Sequence, residues 1–169
     1  LAEMYVGTDV SPDFYAWVFP HGKSASIGVG SAYKDFSAKK SVNELRAISG
    51  LDTAETIRKE GAPIPMKPMK RWDDGKALLV SGDAAGVVAP ASGEGIYYAM
   101  LCGRLSADAI KEFLLTGKAS ALRAPRKRFM KLHGRTFFAL GLLQYFWYHS
   151  DKRRCLLYTS PSPRDLSTS

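Results

Sequence analysis

Apolar and polar residues alternate along the first thirty positions in a way that is typical of β-strands. Residues 2–6 predict a short strand, and residues 9–12 predict a turn. Aromatic and β-branched residues fill positions 14–19, which end at Pro20 and are followed by a second strand-like run at 24–30. This order predicts a β-hairpin.

Helical periodicity replaces this alternation further along the chain. A short helix is predicted at 41–48, with Ser41 as N-cap and Glu44 three residues later in a capping box. The apolar residues of 94–115 recur at helical spacing, and Gly117 marks the end of that helix.

The remaining elements complete the expected fold class. The apolar run 76–81 predicts a strand buried on both faces, and 119–148 predicts a second long helix with kinks at Pro125, Gly134 and Gly141. A β-rich part, then a strand, loop and helix, then a helical end together indicate an α+β or α/β protein.

Composition and charge narrow the class of protein. With 46% hydrophobic residues the 169-residue chain can bury a core, and no apolar run approaches the roughly 20 residues that cross a bilayer. The two cysteines, Cys102 and Cys155, have no metal-ligand or disulfide-framework spacing. We therefore expect a cytoplasmic protein without a metal ion.

The net charge of +8 favours an anionic partner: nucleic acid, a membrane surface or a phosphorylated substrate. Basic residues interleave with apolar ones through 119–135, and 137–147 is nearly all apolar. This stretch could dock on an anionic membrane or, as the alternative we favour, form a helical pair with a solvated basic face. No nucleic-acid-binding module accompanies the charge, so we expect no nucleic-acid partner.

Glycine and alanine are frequent in residues 82–96, a segment that we expect to bind a ligand. The cluster comprises Gly82, Asp83, Ala84, Ala85, Gly86, Pro90, Gly93, Glu94, Gly95 and Ile96. Small residues let a ligand approach the backbone, an acidic side chain accepts hydrogen bonds from ligand hydroxyls, and a helix start favours negative charge. A tight turn without a ligand is the alternative.

The whole pattern resembles the late FAD motif of flavoproteins related to hydroxybenzoate hydroxylase. The resemblance implies that Asp83 meets the ribityl chain and that Gly93, Gly95 and Ile96 meet the isoalloxazine. It also implies a two-domain, Rossmann-like FAD-binding fold with an antiparallel substrate domain.

A second motif is narrower. It comprises Tyr15, Trp17, Phe19 and Pro20, followed by Gly28 and Gly30. It resembles a motif of the geranylgeranyl reductases in the domain that covers the isoprenoid, and the run 9–20 is most similar to the chlorophyll and bacteriochlorophyll branch. A hairpin whose aromatic residues fill a core is the alternative.

The resemblance implies a flavoenzyme that uses FAD and NADPH to reduce a geranylgeranyl group, on a pigment or a diphosphate, to phytyl. It would be cytoplasmic, with peripheral contact at the photosynthetic membrane as a further expectation. The alternatives are an archaeal-type geranylgeranyl glycerophospholipid reductase and a non-catalytic fragment that binds isoprenoid or membrane. No residue stands out as the proton donor, so no catalytic residue is assigned.

The resemblance also divides the chain. Residues 1–72 would belong to the substrate-binding β domain, 73–117 to the last strand and helix of the FAD-binding domain, and 118–154 to a helical end. The chain begins at Leu1 and lacks the Gly-x-Gly-x-x-Gly unit, so we expect an inactive fragment that binds FAD poorly. Residues 155–169 break the composition and are expected to be disordered and foreign, an in-frame sequencing adapter.

Overall fold

The computed structural model of the protein describes residues 1–147 and residue 153. The predicted foreign segment 155–169 lies outside the described residues. The chain divides into two compact units, of which one holds Leu1–Lys59 with the described residues from Tyr145 on, and the other holds Glu60–Gln144.

The first unit is built on a three-stranded antiparallel sheet with strand order β1-β2-β3. The strands are β1 (Glu3–Gly7), β2 (Ser11–His21) and β3 (Ser24–Val29). Gly22, with φ 69°, supplies the left-handed conformation at the tight turn between β2 and β3. The hairpin predicted from alternation is therefore confirmed.

One face of this sheet forms the core of the first unit. Ala16 and Val18 are buried and cluster with Val10 and with Leu45 of helix α1 (Ala38–Ile48). Because side chains alternate along a strand, the aromatic residues between them point to the other face of the sheet.

Helix α1 begins earlier than predicted. Its N-cap is Ser37, whose Oγ accepts a hydrogen bond from the amide of Lys40 at 3.4 Å, and Ser41 is buried within the helix. The predicted cap at Ser41 is wrong because alanine and lysine at 38–40 favour helix and extend it by a turn.

The second unit holds the long helix α2 (Ile96–Thr116) and most of α3 (Ala124–Trp147). Gly117 ends α2 in the left-handed conformation, and its amide donates to the Phe113 carbonyl at 2.8 Å. The predicted helix 94–115 and its glycine stop are confirmed within two residues.

The predicted second helix divides into a 3₁₀ turn at Ala119–Arg123 and then α3. Pro125 lies in the first turn of α3, where a missing amide breaks no helical hydrogen bond, so the irregularity predicted there is the junction between the 3₁₀ turn and α3 and not a kink inside a continuous helix. The helix continues without a break through Gly134 and Gly141.

The strand predicted at 76–81 does not form. Asp74 Oδ1 accepts hydrogen bonds from the amides of Lys76, Ala77 and Leu78 at 2.8 to 3.0 Å and folds them into a loop. These amides, that of Leu78 foremost, hold the pKa of the Asp74 carboxyl below its usual range. The carboxylate thus takes amides that a sheet ladder would need.

What forms instead of the strand is one isolated bridge between Asp73 and Leu79. Over the described residues the protein is a small antiparallel sheet plus helices, an α+β mixture.

Candidate functional site

The small residues after the Asp74 loop form a bent segment, residues 82–95, that we call the glycine loop. It starts as a 3₁₀ turn at Gly82–Ala85 and reverses at Gly86, where φ is 76°. A Cβ on Gly86 would lie 2.2 Å from the carbonyl oxygen of Lys67. The backbone of an earlier segment therefore passes directly over this glycine.

Further hydrogen bonds fix the loop on both sides. The Met69 amide donates to the Ala85 carbonyl at 3.0 Å, and the Ala89 amide donates to the Glu94 carbonyl at 2.8 Å. Ala91 has a φ of 69°, which is uncommon for a residue with a side chain and is held here by the buried surroundings.

The start of α2 is less open to an anion than its sequence suggests. Gly95 is the N-cap, and Oε1 of Glu94 accepts the amide of Tyr97 at 2.9 Å. The negative charge that a helix start favours is therefore supplied in part by the chain itself, because the Glu94 carboxylate satisfies one of the first amides.

Asp83 and Gly95 come together at the centre of the loop. A Cβ on Gly95 would lie 3.4 Å from Asp83 Oδ1 and 3.4 Å from a methyl of Val88. The missing side chain leaves space directly beside a carboxylate, which can accept hydrogen bonds from a bound group.

This space belongs to a cavity of about 310 Å³. The residues that line it are Ile64, Asp83, Val88, Gly93, Gly95, Ile96 and Ala99. Four of the predicted cofactor residues, Asp83, Gly93, Gly95 and Ile96, are among them. Ile64 and Val88 were not predicted.

The other predicted cofactor residues support the loop. Ala85 and Pro90 are buried, Ala84 is exposed, and a Cβ on Gly82 would lie 3.4 Å from the Ala99 methyl. Gly86 and Glu94 act through the contacts given above. These residues do not line the cavity.

Aromatic residues form a cluster that starts at the first turn of α2. Tyr98 meets Phe129, His133 and Phe137 of α3, with ring centroids 4.9 to 6.0 Å apart. Burial raises the pKa of the Tyr98 phenol, and the nearby Glu94 adds to that effect. His133 is isolated along the chain, so no motif pointed to its place in this cluster.

Cys102 lies one turn further along α2 and is fully buried. Burial raises the pKa of its thiol, so the reactive thiolate is disfavoured. It packs as a small hydrophobic residue.

In the first unit, Tyr15, Trp17 and Phe19 form what we call the aromatic row. The rings of Tyr15 and Trp17 lie 5.9 Å apart, those of Trp17 and Phe19 6.1 Å apart, and all three are half-buried. The row lies on the face of the sheet opposite the buried Ala16 and Val18.

The space beside each of the two glycines of this motif is filled by an aromatic ring of the protein itself. A Cβ on Gly28 would lie 2.1 Å from Cζ2 of Trp17, and one on Gly30 would lie 2.5 Å from Cδ1 of Phe14. Trp17 is the cross-strand partner of Gly28, and Pro20 pairs with Ala25 near the turn. The glycines thus leave room for aromatic rings to pack against the backbone.

Two further kinds of site are absent from the described residues. No group of three or more His, Cys, Asp or Glu side chains is arranged there to hold a metal ion. No helix in that part of the chain is both long enough and apolar enough to cross a membrane.

Comparison with known proteins identifies the family. No protein-family model matches the chain, and no solved structure matches it at a significant level. The geranylgeranyl diphosphate reductase of Rhodobacter capsulatus is 56% identical over 152 residues, which cover 90% of this chain and 39% of the relative. The chain belongs to the geranylgeranyl reductase family.

Other members of the geranylgeranyl reductase family match less closely. The chloroplastic geranylgeranyl diphosphate reductase of Nicotiana tabacum is 42% identical over 160 residues, covering 91% of this chain and 34% of the relative. The digeranylgeranylglycerophospholipid reductase of Methanocaldococcus jannaschii is 37% identical over 117 residues, covering 64% of this chain and 29% of the relative. The chain spans about two fifths or less of the length of these curated relatives.

Proposed function

We propose that this chain forms part of an FAD-dependent reductase that uses NADPH to convert a geranylgeranyl group, on (bacterio)chlorophyll or as the diphosphate, to phytyl. Membership of the geranylgeranyl reductase family supports the reaction class. The observation that carries the proposal is the cavity where the carboxylate of Asp83 lies beside Gly95.

The cavity suits part of a flavin. At about 310 Å³ it lies near the lower end of the range for ligand pockets, so it fits one portion of a dinucleotide cofactor. Asp83 would accept hydrogen bonds from ribityl hydroxyls, while Gly93, Gly95 and Ile96 would lie against the isoalloxazine. The bound flavin would supply hydride chemistry, and the protein would supply position and exclusion of water.

The aromatic row is our candidate surface for the isoprenoid. Its three rings face away from the core of the sheet and present a continuous apolar strip. Such a strip suits a flexible hydrocarbon chain, because aromatic rings present large apolar areas for contact. Gly28 and Gly30 would act on the substrate indirectly, by seating the rings.

The domain assignment follows from these roles. In a two-domain, Rossmann-like flavoprotein, residues 1–72 would belong to the substrate-binding β domain, 73–117 to the FAD-binding domain, and 118–154 to a helical end. We also propose a cytoplasmic enzyme with peripheral contact at the photosynthetic membrane, since an isoprenoid tail partitions into lipid.

A reductase of archaeal-type glycerophospholipids is the second candidate. The 37% identity to the Methanocaldococcus jannaschii protein supports it, although the Rhodobacter capsulatus protein is 56% identical. A non-catalytic fragment that binds isoprenoid or membrane is the remaining alternative.

A chimera separates these functions. The 152 residues of this chain that match the Rhodobacter capsulatus relative would replace the corresponding region of that protein. The purified chimera would be assayed with NADPH on geranylgeranyl diphosphate and on an archaeal-type geranylgeranyl glycerophospholipid. We expect bound flavin and faster reduction of the diphosphate. Preference for the glycerophospholipid would support the second candidate, and a folded chimera without flavin would overturn the cofactor assignment.

A further inference from the structure

One side of α3 carries an exposed row of residues that the proposed reaction does not use. Its members are Lys127, Lys131, Arg135, Phe138 and Leu142, which we call the α3 face. Their spacing of four, four, three and four residues keeps them on one side of a helix. Phe138 is 70% exposed and Leu142 46% exposed, whereas Phe129 and Phe137 on the opposite side are buried.

The charged residues along this part of the chain have one sign. Residues 118–144 contain seven lysines and arginines and neither aspartate nor glutamate. Arg126 has a structural role, since its Nε donates a hydrogen bond to the Met69 carbonyl at 2.9 Å. Lys127, Lys131 and Arg135 are exposed on the face itself.

The two chemical types are separated along the helix axis. The three basic residues occupy the first part of the face, and the two apolar residues follow within about 11 Å, at 1.5 Å of rise per residue. A partner with anionic groups at its surface and hydrocarbon beneath them would satisfy both parts at once.

We propose that the α3 face docks on the surface of a bilayer rich in anionic lipids. The basic part would lie at the level of the phosphates, and Phe138 and Leu142 would enter the boundary with the acyl chains. This inference rests on the proposed membrane contact and not on the flavin site. Phosphate contacts alone, as on a nucleic acid, would leave the two exposed apolar side chains without a role.

The test is co-sedimentation of the full chain with vesicles of phosphatidylcholine, with and without phosphatidylglycerol. The chain should bind the anionic vesicles and bind the neutral ones far more weakly. Each lysine near the lipid is worth about a fivefold change in partition, so Lys127→Gln with Lys131→Gln should weaken binding roughly thirtyfold.

Matched variants on α2 provide the controls. Lys111→Gln removes an exposed charge and Leu114→Ala an exposed apolar side chain, and both should bind the anionic vesicles like the parent chain. Phe138→Ala with Leu142→Ala should weaken binding clearly, with an unchanged melting temperature. This readout does not depend on flavin, so it is independent of the reductase assignment.

Three outcomes would overturn the proposal. They are equal binding to neutral and anionic vesicles, equal losses in the α2 and α3 variants, and no vesicle binding by a folded chain. If the chain instead forms dimers that Phe138→Ala dissociates, the face is an interface between copies.

Discussion

The hairpin and the glycine loop both depend on glycine, but the space left by the missing side chain is used differently. At Gly28 that space is filled by the ring of Trp17. At Gly95 it opens beside Asp83 into a cavity. A glycine pattern in a sequence therefore indicates that space is needed, and the structure shows whether the protein itself fills it.

Gly86 shows a third use, since the protein's backbone fills its space. Here the Lys67 carbonyl lies where a Cβ would be, and the left-handed φ of 76° adds a second constraint. Backbone cannot rotate away as a side chain can. The consequences of substitution should therefore rank by what occupies each space.

The largest effect is expected for Gly86→Ala. A methyl 2.2 Å from the Lys67 oxygen forces the segments apart, and the left-handed φ adds strain, so the free energy of unfolding should fall by about 3 kcal/mol. Urea unfolding measures this. Gly103→Ala is the control, because nothing lies near its added methyl and it should stabilise α2 slightly. Equal stability of the two variants would contradict the packing described for the loop.

The next effect concerns the cavity. Asp83→Ala in the chimera should weaken FAD binding by about 1.5 to 3 kcal/mol, or tenfold to 150-fold, because a ribityl hydroxyl would lose a charged acceptor. Flavin retained through gel filtration and the dissociation constant report it. Asp108→Ala, at an exposed position on α2, should retain flavin normally. Unchanged retention in Asp83→Ala would remove Asp83 from the cofactor site.

A smaller effect is expected where the ring of Trp17 meets the substrate. Trp17→Ala in the chimera removes a large apolar surface from the aromatic row, so turnover of geranylgeranyl diphosphate should fall about tenfold or more. Flavin should stay bound and should still be reduced by NADPH. Tyr33→Ala removes an exposed aromatic ring outside the row and should leave turnover unchanged. Loss of folding in Trp17→Ala would assign the row to the core.

The smallest effect is expected for Gly28→Ala. The added methyl overlaps the Trp17 ring, but a half-buried ring can rotate away at a cost of about 1 kcal/mol in strain. The melting temperature should fall slightly, and the same change made in Trp17→Ala should have no cost. A similar loss in both backgrounds would mean that the glycine serves the backbone and not the ring.

Patterns between residues that are near one another in sequence predicted the hairpin and the long helix correctly. The hairpin follows from alternation and a glycine turn, and α2 follows from apolar spacing with a stop at Gly117. The strand predicted at 76–81 does not form, because one side chain, Asp74, binds three amides that apolar composition alone assigns to a ladder. The helix cap was placed wrongly because Glu44 gives Ser41 a capping box, whereas the residues after Ser37 favour helix and start it a turn earlier.

The candidate site shows the same division. Asp83, Gly93, Gly95 and Ile96 could be found because they follow one another in a short segment. Ile64 could not, because it lies in a proline-rich stretch without periodicity and reaches the cavity only through the fold. The ring seats at Gly28 and Gly30 also depend on pairing between strands, which the spacing of the glycines does not reveal.

The contact between Gly28 and Trp17 has a consequence for the way these positions vary among related sequences. Because the ring occupies the space above the glycine, the two residues share one volume and are constrained as a pair. A relative with a small residue at the position of Trp17 is free to carry a side chain at the position of Gly28, and one that keeps the tryptophan is not. At Gly86 no such exchange is available, since the neighbour is peptide backbone. That position should therefore admit only glycine, whatever side chains surround it.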